Sequence, residues 1–185
     1  MSYTFSRRDF MKYTALAAAA VAVSGSLTGC SNPNQPTGTV GSTLKPGGGI
    51  CEATLLSGDS KPTYNLTDKK LVCNFKIKSL LAGLQVSAGH FQVDVTGGQH
   101  PGSYNFNTHP TGTTQATFDL TGGTNATTKN QLLTDVALKV TGIDLTDATN
   151  VAVLYWPKHS ADENGKDLYN DVYATWNITA KDLGL

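Results

Sequence analysis

From Leu71 onward the chain alternates apolar and polar side chains with a period of two, in one segment after another. Leu71, Cys73, Phe75 and Ile77 share one side of such a register, while Asn74, Lys76 and Lys78 share the other. The pattern returns with Phe91, Val93 and Val95 set against Gln92, Asp94 and Thr96, and with Ala116, Phe118 and Leu120 set against Gln115, Thr117 and Asp119. It recurs in Val136, Leu138 and Val140, in Val151, Val153 and Tyr155, and in Val172, Ala174, Trp176 and Ile178. Successive side chains of an extended strand point to opposite faces, so each segment predicts a strand with one buried and one wet face. Turn-forming clusters separate them: Gly97-Gly98, His109-Pro110-Thr111-Gly112, Gly122-Gly123-Thr124-Asn125 and Asn164-Gly165. Helical pieces are expected only around Ser79 to Leu84 and Lys129 to Leu133.

About seven to nine antiparallel strands without crossover helices predict an all-β fold, an antiparallel two-sheet β-sandwich. In strand count and spacing this resembles the immunoglobulin-like sandwiches. It departs from their cysteine pattern, because Cys51 and Cys73 are too close in sequence to be the usual inter-sheet pair with a tryptophan between. A jelly roll or a partly open barrel accommodates the same alternation.

The first thirty residues follow a different rule. Ser6-Arg7-Arg8-Asp9-Phe10-Met11-Lys12 is followed by an apolar, mostly alanine run from Tyr13 to Leu27, and then by Leu27-Thr28-Gly29-Cys30. The run is too short and too weakly hydrophobic to hold a spanning helix. Arg7, Arg8, Phe10 and Lys12 resemble the twin-arginine export signal, and the last four residues resemble the lipobox of bacterial lipoproteins. The resemblance implies dealings with the twin-arginine machinery and the lipoprotein-processing enzymes, cleavage before Cys30, and acylation of Cys30 (diacylglyceryl, then palmitate-type chains). Two or three acyl chains anchor durably where one does not. Residues 1–29 are thus expected to be signal peptide, 30–49 a lipidated N-terminus and flexible linker, and 50–185 the sandwich. A coil of about 19 residues spans roughly 25 Å. The implied address is the outer face of the cytoplasmic membrane, or the outer membrane of a two-membrane cell.

Beyond residue 29 the sequence carries 11 Lys, no Arg and 13 Asp plus Glu, a net charge of −2. That leaves no basic footprint for nucleic acid. With Cys30 acylated, Cys51 and Cys73 can pair in only one way. Outside the reducing cytoplasm a structural disulfide is expected, closing a loop of some twenty residues.

Three groups of residues offer chemistry. His90, His100 and His109 lie within twenty residues of one another, and imidazoles gathered on one rim could bind copper or zinc. The stretch from Ser160 to Asp171 partly resembles a calcium loop. It places Ser160 where the first carboxylate belongs and Asp171 where a bidentate Glu belongs, and a polar hairpin explains the same residues. Finally Tyr155, Trp156, Tyr169, Tyr173 and Trp176 crowd the C-terminal segment. Alternation sends Trp176 and one of Tyr155 and Trp156 to the core, leaving Tyr169, Tyr173 and Trp156 as a candidate binding face that could stack on sugar rings or anchor a protein. No nucleophile elbow, His-Glu-x-x-His helix, phosphate loop or dinucleotide turn is present. The expectation is a non-enzymatic, cofactor-free binding or accessory module at the bacterial envelope, with an envelope protein or glycan as partner. The alternative is a metal- or cofactor-handling accessory of an exported redox system, since twin-arginine cargoes often carry cofactors.

Overall fold

A computed structural model describes residues 35–47, 49–159 and 172–185. Along the chain the strands are β1 (Thr37–Thr39), β2 (Thr43–Leu44), β3 (Cys51–Leu55), β4 (Thr63–Asn65), β5 (Lys70–Ser79) and β6 (Leu84–Gln85). They continue with β7 (Phe91–Gly97), β8 (Gly102–Asn105), β9 (Thr117–Thr121), β10 (Leu132–Thr141), β11 (Ala148–Tyr155), β12 (Lys158–His159) and β13 (Ala174–Thr179). Every period-two segment predicted from the sequence falls on a strand or runs into one, and, Val172 apart, its apolar members are buried in the core or pack against it. Leu71, Cys73, Phe75 and Ile77 are fully buried, as are Val153, Tyr155, Trp176 and Ile178.

Two sheets result, with strand orders β1-β13-β11-β7-β8 and β2-β3-β5-β10-β9, and β4 extends the latter along β5. Stripped of the short strands, β3-β5-β10-β9 faces β13-β11-β7-β8, the division of strands that defines the immunoglobulin sandwich. The family's core cysteine and tryptophan are rearranged. Cys73 lies on β5, while β11 opposite carries valines, and the buried Trp176 comes from the last strand. Its indole meets Phe75 edge-on, with centroids 5.4 Å apart and planes at 71°. From Phe75 the aromatic contact passes to Phe91 at 5.4 Å and on to Tyr155 at 4.8 Å. These rings tie the two sheets together.

The predicted disulfide is corrected. Both thiols are free and buried. Cys51 stands opposite Ser79, six residues along β5 from Cys73. At the rise of a strand that is about 20 Å, whereas a bridge requires Cα atoms within about 7 Å. Burial pushes the Cys51 thiol up to about 12 and the Cys73 thiol up as well, so neither yields the reactive thiolate. Accordingly, neither cysteine should react with a thiol reagent in the folded domain, both should react after unfolding, and a reductant should leave the melting temperature unchanged. A reductant-dependent melting temperature contradicts this register.

The expected linker also loses its C-terminal part. Thr37–Thr39 pairs in parallel with β13, and Thr43–Leu44 pairs with β3, so the sandwich begins well before Ile50. The two helical pieces are corrected too. Ser79 ends β5, and Leu132 and Leu133 open β10. Segments this short cannot nucleate a helix unaided, and the residues between are held by a buried polar pair instead. Thr127 Oγ1 donates to Ser79 Oγ at 2.8 Å and accepts from Leu84 N at 3.1 Å. Where β9 leaves its sheet, Gly122 has φ +71°, and a Cβ there would stand 2.2 Å from the Asp135 carbonyl oxygen. That position sits beside the register shift in β10 between Leu133 and Val136, where only glycine fits.

The sandwich has two distinguishable ends. β1, β3, β7, β10 and β13 start at the proximal end, where β5, β8 and β11 finish. The sheets are joined there by a hydrogen bond from Gly47 N to Val172 O (2.7 Å) and by the pairing of β6 with β12. The distal end carries the Gly97-Gly98 turn and the loop of Asp144.

Candidate functional site

The proximal end assembles the aromatic surface. Tyr155 pairs with Ala174 across β11 and β13. One residue beyond this pair on each strand, alternation turns Trp156 and Tyr173 to the outer side, where both are half-buried. Their rings pack at 4.6 Å with planes at 40°. The Trp156 backbone N–H donates to His90 O at 2.9 Å, which fixes the start of β7 beside them. Tyr155, directly behind, is stacked on Phe91, so the outer pair rests on the rigid core. Two of the three residues expected on this face are therefore brought together. The third, Tyr169, lies outside the described residues, as does the calcium-like stretch.

Next to Trp156 a cleft of about 210 Å³ is lined by Phe91, Gln92, Asn105, Phe106 and Asn107. Its polar side is an amide row on the outer face. Asn105 Nδ2 donates to Gln92 Oε1 at 3.1 Å, and Gln92 Nε2 donates to Asp94 Oδ1 at 2.6 Å. Asn105 Oδ1 accepts from the backbone N–H groups of Asn107 and Thr108 at 2.8 and 2.9 Å. This turn holds Phe106 out to solvent, 62% exposed. Sequence reading missed Phe106, a single aromatic between two asparagines in a turn. Such a residue has no period to betray it; its only signal is that a large ring in a polar turn has no core to enter.

The histidines do not converge. His90 sits at the proximal end, where Ser87 N donates to its Nδ1 at 3.4 Å and burial pulls the imidazole below its ordinary range. His100 lies beyond the other end of β7, a strand of 7 residues, or about 23 Å. It lines a distal cavity of about 260 Å³ with Lys69, Tyr104, Thr113 and Asp144. His109 is distal as well, its Nδ1 within 3.1 Å of Thr113 Oγ1. The expected three-histidine metal rim is thus corrected by the length of β7. Among the described residues no group of three or more His, Cys, Asp or Glu side chains is positioned to share an ion.

The distal cavity does contain an ion pair, Lys69 Nζ to Asp144 Oδ2 at 2.7 Å. Lys69 is held at φ +48°, a conformation few lysines adopt, and its carbonyl accepts from Gly142 N and Ile143 N at 2.9 and 3.2 Å. The Lys69 ammonium, and then Thr146, lower the Asp144 carboxyl to about 2. A depressed carboxylate stabilises the fold above its unfolded value and ceases to do so as pH falls through its folded one. Asp144→Asn should therefore remove stability that the parent loses between about pH 4 and pH 2, an effect of about 1 kcal/mol or less at this open site. Urea midpoints of both proteins across that range check it, and they should converge at the acid limit.

Among the described residues no helix is long and apolar enough to cross a membrane. No curated protein and no solved structure matches the chain. Residues 4–24 match the TAT (twin-arginine translocation) pathway signal sequence, so the immunoglobulin-like sandwich that follows is the cargo of a twin-arginine export signal and is sent across the cytoplasmic membrane.

Proposed function

We propose that the mature chain is a lipid-anchored, non-enzymatic binding or accessory module of the cell envelope, held by acyl chains on Cys30, with the Trp156–Tyr173 end of the sandwich as its contact surface. The observation that carries this reading is the packed pair itself. Two large amphipathic rings sit side by side on the outside of a rigid sheet, next to a cleft edged by Phe106 and by the amides of Gln92 and Asn105. Buried aromatic anchors flanked by polar groups are what contact surfaces use. The export signal supplies the compartment, and Leu27-Thr28-Gly29-Cys30 supplies the anchor.

A photo-crosslinking side chain installed at Tyr173 in cells making the native precursor tests this. Light-dependent adducts to an envelope component are expected at Tyr173 and not at Leu66, an exposed residue of the β4–β5 turn. A folded, exported protein that forms no adduct at Tyr173 would place the contact surface elsewhere.

A further inference from the structure

We propose that the surface contacted by this end is the lipid bilayer itself: Trp156, Tyr173, Phe106, Leu81 and Leu132 form an apolar rim that seats the sandwich end-on against the membrane holding the Cys30 acyl chains. The inference rests on the lipidated Cys30 of the proposed function and names the partner of the same surface.

The first support is the length of chain between anchor and fold. Thr175 N donates to Pro36 O at 3.0 Å, which pins Pro36 two residues along β13 from Tyr173. Six peptide links separate Cys30 from Pro36. Even fully extended they reach only about 20 Å, so the proximal end is held within that distance of the headgroups. β5, with 10 residues, sets the distal end about 33 Å further along the strand direction.

The second support is where the exposed apolar side chains fall. Among the described residues the large exposed ones are Leu66, Leu81, Phe106, Leu132 and Leu185. Leu81 follows the end of β5, Leu132 opens β10 opposite Lys78, and Phe106 follows the end of β8. All three are proximal, with exposures of 43%, 48% and 62%, and they share that end with Trp156 and Tyr173. Tryptophan and tyrosine favour the membrane–water interface because one edge of each ring is apolar and the other polar. Leucine and phenylalanine beside them add the buried area that interfacial binding scales with.

Charge does not select this surface. Lys45 at the proximal end is paired with Glu52 at 3.3 Å, and beyond residue 29 the chain carries a net charge of −2. Seating is therefore carried by apolar contact and needs no anionic lipid.

The test uses the chain exported through its own signal, extracted from membranes and reconstituted in neutral phosphatidylcholine vesicles containing lipid brominated near the headgroup. Intact mass reports acylation separately. The Trp156 signal is the difference between the parent and Trp156→Phe, since Trp176 is buried in the core. The expected result is quenching of Trp156 by the brominated lipid, with iodide quenching from water reduced about threefold relative to the Cys30→Ser protein free in solution. An environment-sensitive dye on Phe106→Cys gives an independent reading, a blue shift on reconstitution, with Cys51 and Cys73 protected by burial. An acylated chain whose Trp156 stays open to iodide and unquenched by lipid overturns the inference and leaves the anchor standing. Shielding from iodide without lipid quenching also overturns it, by showing that something other than the bilayer covers the rim. A chain with no acyl group on Cys30 removes both the anchor and the docking.

Discussion

Trp176→Ala should lower the stability of the sandwich by about 3–5 kcal/mol, the range for truncating a large aromatic in a core that cannot collapse around the void. Trp176 is fully buried and meets Phe75 from the facing sheet, so its removal opens a cavity between the layers. The indole also does a second job. Its Nε1 donates to Ser42 O at 2.9 Å, tying β13 to the segment that links β1 and β2. Gly38, opposite Trp176 in the parallel β1–β13 pair, lies in β1 just ahead of that segment. Loss of the indole therefore weakens the seating of the N-terminal strands as well as the core. For a domain of this size each kcal/mol moves the melting temperature by roughly 2–4 °C, so a fall of about 10 °C is expected. Trp176→Phe, which keeps the ring contact but loses the N–H, should cost distinctly less. Urea unfolding followed by circular dichroism measures both, and a loss below about 1 kcal/mol for Trp176→Ala would contradict the placement of this residue between the sheets.

Arg7→Lys combined with Arg8→Lys should abolish export while leaving the sandwich folded. The pair lies inside the matched signal at residues 4–24, and these are the only arginines in the sequence. The exchange preserves charge, so any loss comes from the guanidinium groups themselves. Planar, multidentate guanidinium recognition is what lysine cannot reproduce. Precursor should accumulate in the cytoplasm with residues 1–29 still attached, and the processed form should vanish from the membrane fraction. Fractionation and immunoblotting of pulse-labelled cells decide it. Undiminished export of the double variant would mean that the arginines are not what the machinery reads.

Much of this fold was legible because strand burial writes itself into sequence with a period of two. Leu71 to Ile77 and Trp176 to Ile178 show the pattern over enough residues to fix which face is inside. Thr37–Thr39 and Thr43–Leu44 are too short to show any period, so strands that complete both sheets read as linker. The cysteines failed for a different reason. Compartment and even number argued for a bridge, but whether two residues meet depends on register, and register places Cys51 against Ser79. The histidines were misjudged by the same route: His90 and His100 are ten positions apart in sequence, and a strand lies between them. The aromatic surface was partly readable, since alternation allows only one of Tyr155 and Trp156 inside. What alternation could not supply was the packing of Trp156 on Tyr173, the cleft beside it, or the arrival of Phe106 from a turn.

The intact mass of the exported chain recovered from membranes tests the central claim most directly. The expected product is a polypeptide of residues 30–185 carrying a diacylglyceryl group, with or without a further acyl chain, and with both remaining cysteines at the mass of free thiols. A soluble, unacylated product, or one cleaved at another position, would contradict it.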